Sequence, residues 1–125
     1  MLGSTLTVTL DGSGGTARVC NLINQDQYSS EYLNRSATDE VRVKVRHQKE
    51  SAKAGELYQM ERHNILFTQV VFATPTTTEK FREVSFTIRN RADDAAVDVV
   101  NLAEAMSFWT VKANANNEKL IAWEV

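Results

Sequence analysis

Two histidines, one cysteine and a row of cations are the residues of this 125-residue chain whose types could do chemistry. His47 and His63 are not spaced as a metal pair on one helix face. Cys20 has no cysteine partner for a disulfide or a zinc site. Its setting in Ala17-Arg-Val-Cys-Asn-Leu-Ile23 reads as a buried thiol, with Arg18 the only neighbour that could lower its pKa. No Gly-x-Ser-x-Gly elbow, phosphate-cradling loop or dinucleotide fingerprint is present. Asp11-Gly-Ser-Gly-Gly15 is glycine-rich, but it joins two strands and opens no helix, so it reads as a turn. These residues point away from catalysis: no catalytic residue, metal ligand or cofactor is expected. What remains is Arg42, Lys44 and Arg46, alternating along one segment. Such a row suits phosphate contact, although a solvated strand face or edge protection would look the same.

Net charge is −2, which by itself argues against a nucleic-acid partner. The distribution argues otherwise. Residues 41–49 hold Arg42, Lys44, Arg46 and Lys49 and no acid, a local +4, whereas residues 93–125 hold six acids against two lysines, a local −4. One proline, five glycines and 42% hydrophobic residues fit a single folded domain over 1–125. No apolar run is long enough to cross a membrane, and the polar start lacks the features of a signal peptide. The expected site of synthesis is a cytoplasm.

The elements that must position the cations follow from periodicity. Thr5-Leu-Thr-Val-Thr-Leu10 alternates as a half-buried strand does, the glycine-rich turn follows, and Thr16–Ile23 returns, giving a hairpin over 5–23. A meander is expected over 28–90. Within it, Tyr28–Leu33 is a short strand, and Val41-Arg-Val-Lys-Val-Arg46 puts three valines on one face and three cations on the other. Glu56–Phe72 has apolar residues at both parities, so its phase stays open. Ala73–Glu79 is a loop around the only proline, and Phe81–Arg89 puts Val84, Phe86 and Ile88 opposite Glu83, Ser85 and Thr87. Helices are expected over 93–109, capped by Asp93 or Asp94, and over 118–125, with Val99, Leu102, Met106 and Trp109 as the apolar stripe of the first. Tyr28, Tyr32 and Tyr58 could stack on bases, but packing within a half-buried sheet is the plainer role.

Strands followed by helices make an α+β fold. One helix of about 24 Å is meagre cover for a five- or six-stranded sheet. The last strand would also leave an unpaired edge. A twofold homodimer answers both needs, since edges can pair and helices can cover the partner's sheet.

The order of parts resembles the coat proteins of single-stranded RNA bacteriophages. The likeness spans residues 5–125. It is carried by Asp11–Gly15 at the first turn, Glu31-Tyr-Leu33, the alternating Val41–Arg46, the loop Ala73–Glu79, the strand Phe81–Ile88 and the spacing to Ala105-Met106. The resemblance implies an antiparallel meander with an N-terminal hairpin and two C-terminal helices, built as an intertwined dimer. Dimers would assemble an icosahedral shell in the bacterial host cytoplasm, with the sheet inside and the helices outside. Thr74, Pro75, Thr76 and Thr77 would lie in the loop joining dimers. Genomic RNA, and in studied members an operator hairpin that represses translation, would bind Arg42, Lys44, Arg46, Glu83, Ser85 and Thr87, with Gln59, Glu61 and His63 on the intervening strand. Lysine and arginine stand here where better-known members have uncharged residues, which implies more nonspecific phosphate contact. A cellular RNA-binding dimer that builds no particle, and a structural protein whose basic face meets an acidic partner, are the alternatives.

Overall fold

The computed structural model describes residues 2–55 and 57–124, so the expected segment ends at Glu56 and Val125 lie outside the described residues. Six strands, β1 (Thr5–Leu10), β2 (Thr16–Gln25), β3 (Ser29–Arg35), β4 (Asp39–Lys49), β5 (Met60–Val71) and β6 (Lys80–Arg91), form one antiparallel sheet in chain order. Helix α1 (Ala96–Trp109), a 3-10 turn (Lys112–Asn114) and helix α2 (Asn116–Ile121) follow. The fold is therefore α+β, with the meander, hairpin and C-terminal helices that the sequence predicts.

The first turn works because its backbone is left-handed: φ is 69° at Asp11, 73° at Gly12 and 82° at Gly14. Gly15 is required for a different reason. A Cβ there would lie 1.8 Å from the Leu10 carbonyl oxygen, a backbone atom that cannot move aside. A register shift between Leu22 and Asn24 bends β2, and the sheet curls so that the hairpin closes over β3 and β4. Arg18 on β2 thus reaches Asp39 at the start of β4, 2.8 Å away, and the Tyr32 hydroxyl donates to the Gly3 carbonyl at 3.0 Å.

Inside the curl lies the core: Val8, Cys20, Tyr32, Val41, Val43 and Val45, bordered by Leu6, Leu10, Leu22 and Ile65. Val43 is 0% exposed, and Cys20 is fully buried, its thiol pushed up by burial against the lowering pull of Arg18. The core stops at β4–β5. Beyond it, Val84 on β6 is 71% exposed and α1 has no buried residue.

The helix boundaries differ from the sequence reading. Arg91 pairs with Asp93 at 2.7 Å, and the Asp94 carboxylate accepts the Ala95 N–H. Neither aspartate caps the helix, whose N-cap is Ala95, so α1 starts at Ala96 rather than at 93. The asparagines between the two helices cap the first. Asn114, Asn116 and Asn117 donate their amides to the carbonyls of Phe108, Trp109 and Thr110, satisfying the open end of α1. That places α2 at Asn116–Ile121, earlier and shorter than 118–125.

Candidate nucleic-acid interface

Strand register decides which residues share a face. The valines Val41, Val43 and Val45 point into the curl, so Glu40, Arg42, Lys44 and Arg46 point out of it. Across β4, β5 and β6 the outward rows read Arg42–Thr68–Glu83, Lys44–Leu66–Ser85, Arg46–Asn64–Thr87 and Gln48–Arg62–Arg89. Arg42, Lys44, Arg46, Glu83, Ser85 and Thr87 are therefore brought together on one face as the sequence reading had them.

Gln59, Glu61 and His63 are not. Gln59 precedes β5, its carbonyl accepting the Ala92 N–H. Glu61 and His63 face Lys49 and His47 on the valine side of the sheet. The outward residues of β5 are Arg62, Asn64, Leu66 and Thr68, which sequence reasoning missed. The signal was present: Arg62, Asn64 and Thr68 are polar at one parity while Ile65 and Phe67 are apolar at the other. Leu66 and Val70, apolar on the outward side, obscured it.

The cations of this face are not equivalent. Arg42 is clamped between Glu31 and Glu40, the latter at 2.8 Å, and these carboxylates raise its pKa, Glu40 more than Glu31. Hydrogen bonds from Arg42 and Arg35 in turn lower the pKa of Glu40. Lys44 stands 4.0 Å from Glu31, a loose contact. Arg89 pairs with Glu50 at 2.7 Å. Arg46 and Arg62 make no ion pair among the described residues, and Arg62 is near enough to Glu50 for its charge to help lower that carboxyl's pKa, behind Arg89. Two shallow recesses lie on this face. One of about 350 Å³ is bounded by Arg46, Arg62, Asn64 and Thr87. The other, of about 250 Å³, is bounded by Arg42, Lys44, Thr68 and Glu83.

The tyrosines divide. Tyr32 is in the core, Tyr58 has the Arg91 guanidinium over its ring at 3.3 Å from the centroid, and Tyr28, just before β3, is half exposed. On the opposite side of the molecule, Val84, Phe86 and Ile88 of β6 face Val99, Leu102, Met106 and Trp109 across an open groove of about 1270 Å³. The expected apolar stripe is thus assembled beside β6, but it is uncovered, Leu102 being 76% exposed. Trp123, beyond the last helix, is likewise exposed. The β5–β6 loop is exposed and self-contained, with Thr74 and Thr77 exchanging backbone hydrogen bonds at 2.9 and 3.3 Å and Pro75 following a trans bond.

Comparison with known proteins agrees with this geometry. The family model described as phage phiCb5, coat protein, matches residues 3–91. Among solved structures, the coat protein of bacteriophage EMS014 is similar with a TM-score of 0.62 and 12% identity, covering 84% of this chain and 70% of that one. The virus-like particle of Beihai levi-like virus 21 gives 0.61 and 12%, covering 90% of each chain. That of bacteriophage PQ-465 gives 0.54 and 11%, covering 85% and 87%. At such identities the structural likeness speaks for the fold. No curated protein matches in sequence.

Proposed function

The chain belongs to the phage phiCb5 coat protein family, and from that premise we propose that it builds the shell as a homodimer and holds single-stranded RNA against the basic face of its sheet. The coarse role is that of the family, a capsid protein of a virion. The finer reading is carried by one observation: the sheet has an open cationic face on one side and an uncovered apolar face on the other. A second copy is the natural cover for the latter. Pairing of the two β6 edges would make one continuous sheet, and each α1 would then lie across the partner's Val84, Phe86 and Ile88.

On the cationic face Lys44, Arg46 and Arg62 supply phosphate contact, which is blind to sequence. Asn64, Ser85 and Thr87 border them and offer donors and acceptors to base edges, which supports a hairpin as a second ligand of the same face. Thr74–Thr77, at the tip between β5 and β6, joins neighbouring dimers in this reading. Assembly takes place in the host cytoplasm. No step of it calls for a catalytic group.

Expression in bacteria, gel filtration, electron microscopy and an ultraviolet spectrum test the proposal. Nuclease-resistant spherical particles with a nucleic-acid spectrum are expected. An RNA-binding dimer that never assembles would overturn the shell and leave a non-particle RNA-binding module. RNA-free particles would overturn the role of the basic face.

A further inference from the structure

His47 and His63 stand directly opposite each other on β4 and β5. The His47 N–H turns away from β5 to the Tyr28 carbonyl at 2.7 Å. The two histidines are therefore a non-hydrogen-bonded pair of the β4–β5 ladder, the kind in which facing side chains approach closest. Their Nδ1 atoms are 2.9 Å apart, with ring centroids at 5.1 Å and planes inclined by 64°. One Nδ1 carries the hydrogen of this contact and the other the lone pair. Once that hydrogen is lost and the rings turn, an ion set to one side of the Nδ1–Nδ1 line would meet a lone pair from each ring.

The spacing says which cation. Two nitrogens 2.9 Å apart subtend about 90° at an ion about 2.05 Å from each, an ordinary metal–imidazole distance. That is the cis angle of square-planar or octahedral coordination, which suits copper(II) and nickel(II). Tetrahedral zinc needs nitrogens about 3.3 Å apart, so the strands or rings would have to open. Behind His63, Glu61 Oε2 lies 3.8 Å from Nε2. That separation is longer than a hydrogen bond, and ligation needs Nδ1 of each ring to be without its proton. Lys49, across from Glu61 in register, is the opposing charge, while Ile88 and Asn90 flank the site from β6. The His63 side chain is 38% exposed, so an ion can enter without opening the sheet. No cluster of three or more potential ligands occurs among the described residues. Water would fill the other positions.

We infer that His47 and His63 form a two-histidine cross-strand site for a late first-row divalent cation, copper(II) or nickel(II) ahead of zinc(II), clamping β4 to β5. The inference does not rest on RNA binding, since the histidines lie on the opposite face of the sheet from Arg46 and Arg62. It is tested by adding copper(II) chloride to the metal-stripped full-length protein, with equilibrium dialysis for stoichiometry and pulsed electron paramagnetic resonance to count imidazoles. One copper per chain with two coordinated imidazoles is expected. His47→Gln or His63→Gln should abolish the two-imidazole signal. The spectrum of the unmodified protein is decisive even if a variant misfolds, since the chain has only 2 histidines. No binding, a signal from fewer than two imidazoles, or unchanged binding in either histidine variant would overturn the site.

Discussion

Replacing Lys44, Arg46 and Arg62 together by glutamine is expected to flatten the salt dependence of RNA binding while leaving the protein folded. Arg46 and Arg62 hold no ion pair among the described residues, and Lys44 has only the 4.0 Å contact with Glu31, so little internal structure is lost. Each phosphate neutralised on a single strand adds about 0.7 to the slope of log affinity against log salt, so three add about 2. Between about 50 and 200 mM salt the natural protein should therefore lose about 20-fold more affinity than the variant. Arg42→Gln should behave differently. It strips Glu31 and Glu40 of a shared partner that is only about one-third exposed. Its cost should be about 2 kcal/mol of stability, with little change in slope. Fluorescence anisotropy of a labelled single-stranded RNA at several salt concentrations, with thermal unfolding of each variant, separates the two effects. A triple variant that keeps the full slope would refute the assignment. So would an Arg42 variant that is fully stable and flattens the slope as much as one of the open cations.

Two further outcomes probe the other face and the curl. Met106→Asp, which puts a charge into the groove facing β6, should abolish soluble dimer on gel filtration; a soluble dimer of normal size would show that the stripe stays uncovered in the assembly. The pKa of Asp39 is lowered by hydrogen bonds from the Ser36 hydroxyl and the Gln69 amide, and by Arg18. Its folded pKa is depressed, so its stabilisation is present above the unfolded value of about 3.9 and is lost as pH falls through the folded one. Asp39→Asn should cost about 3 kcal/mol at pH 7, because Arg18 is left nearly buried without its anion. The gap between the two unfolding curves should close on acidification; a constant gap from pH 7 to about pH 3 would refute the linkage.

What was legible in the sequence was whatever one strand's own alternation decides. Val41–Arg46 and Val84–Ile88 each have one apolar and one polar parity, and both sit as read. β5 has no such contrast, because it is buried against the curl on one side at Ile65 and carries Leu66 within the basic face on the other. Its phase is fixed by pairing with β4, a nonlocal fact, and a one-residue error in phase moves every side chain to the wrong face. That single error kept Arg62 and Asn64 off the basic face and put His63 on it. It also hid the meeting of His47 with His63, since a search for metal ligands along one helix cannot see two residues joined only by register. The curl was equally nonlocal: Arg18 and Asp39 are 21 positions apart, and nothing in either segment announces the other. The helix stripe shows the converse. Its spacing was read correctly, yet in one chain it covers nothing, because the partner surface it is shaped for belongs, in the proposed dimer, to a second copy.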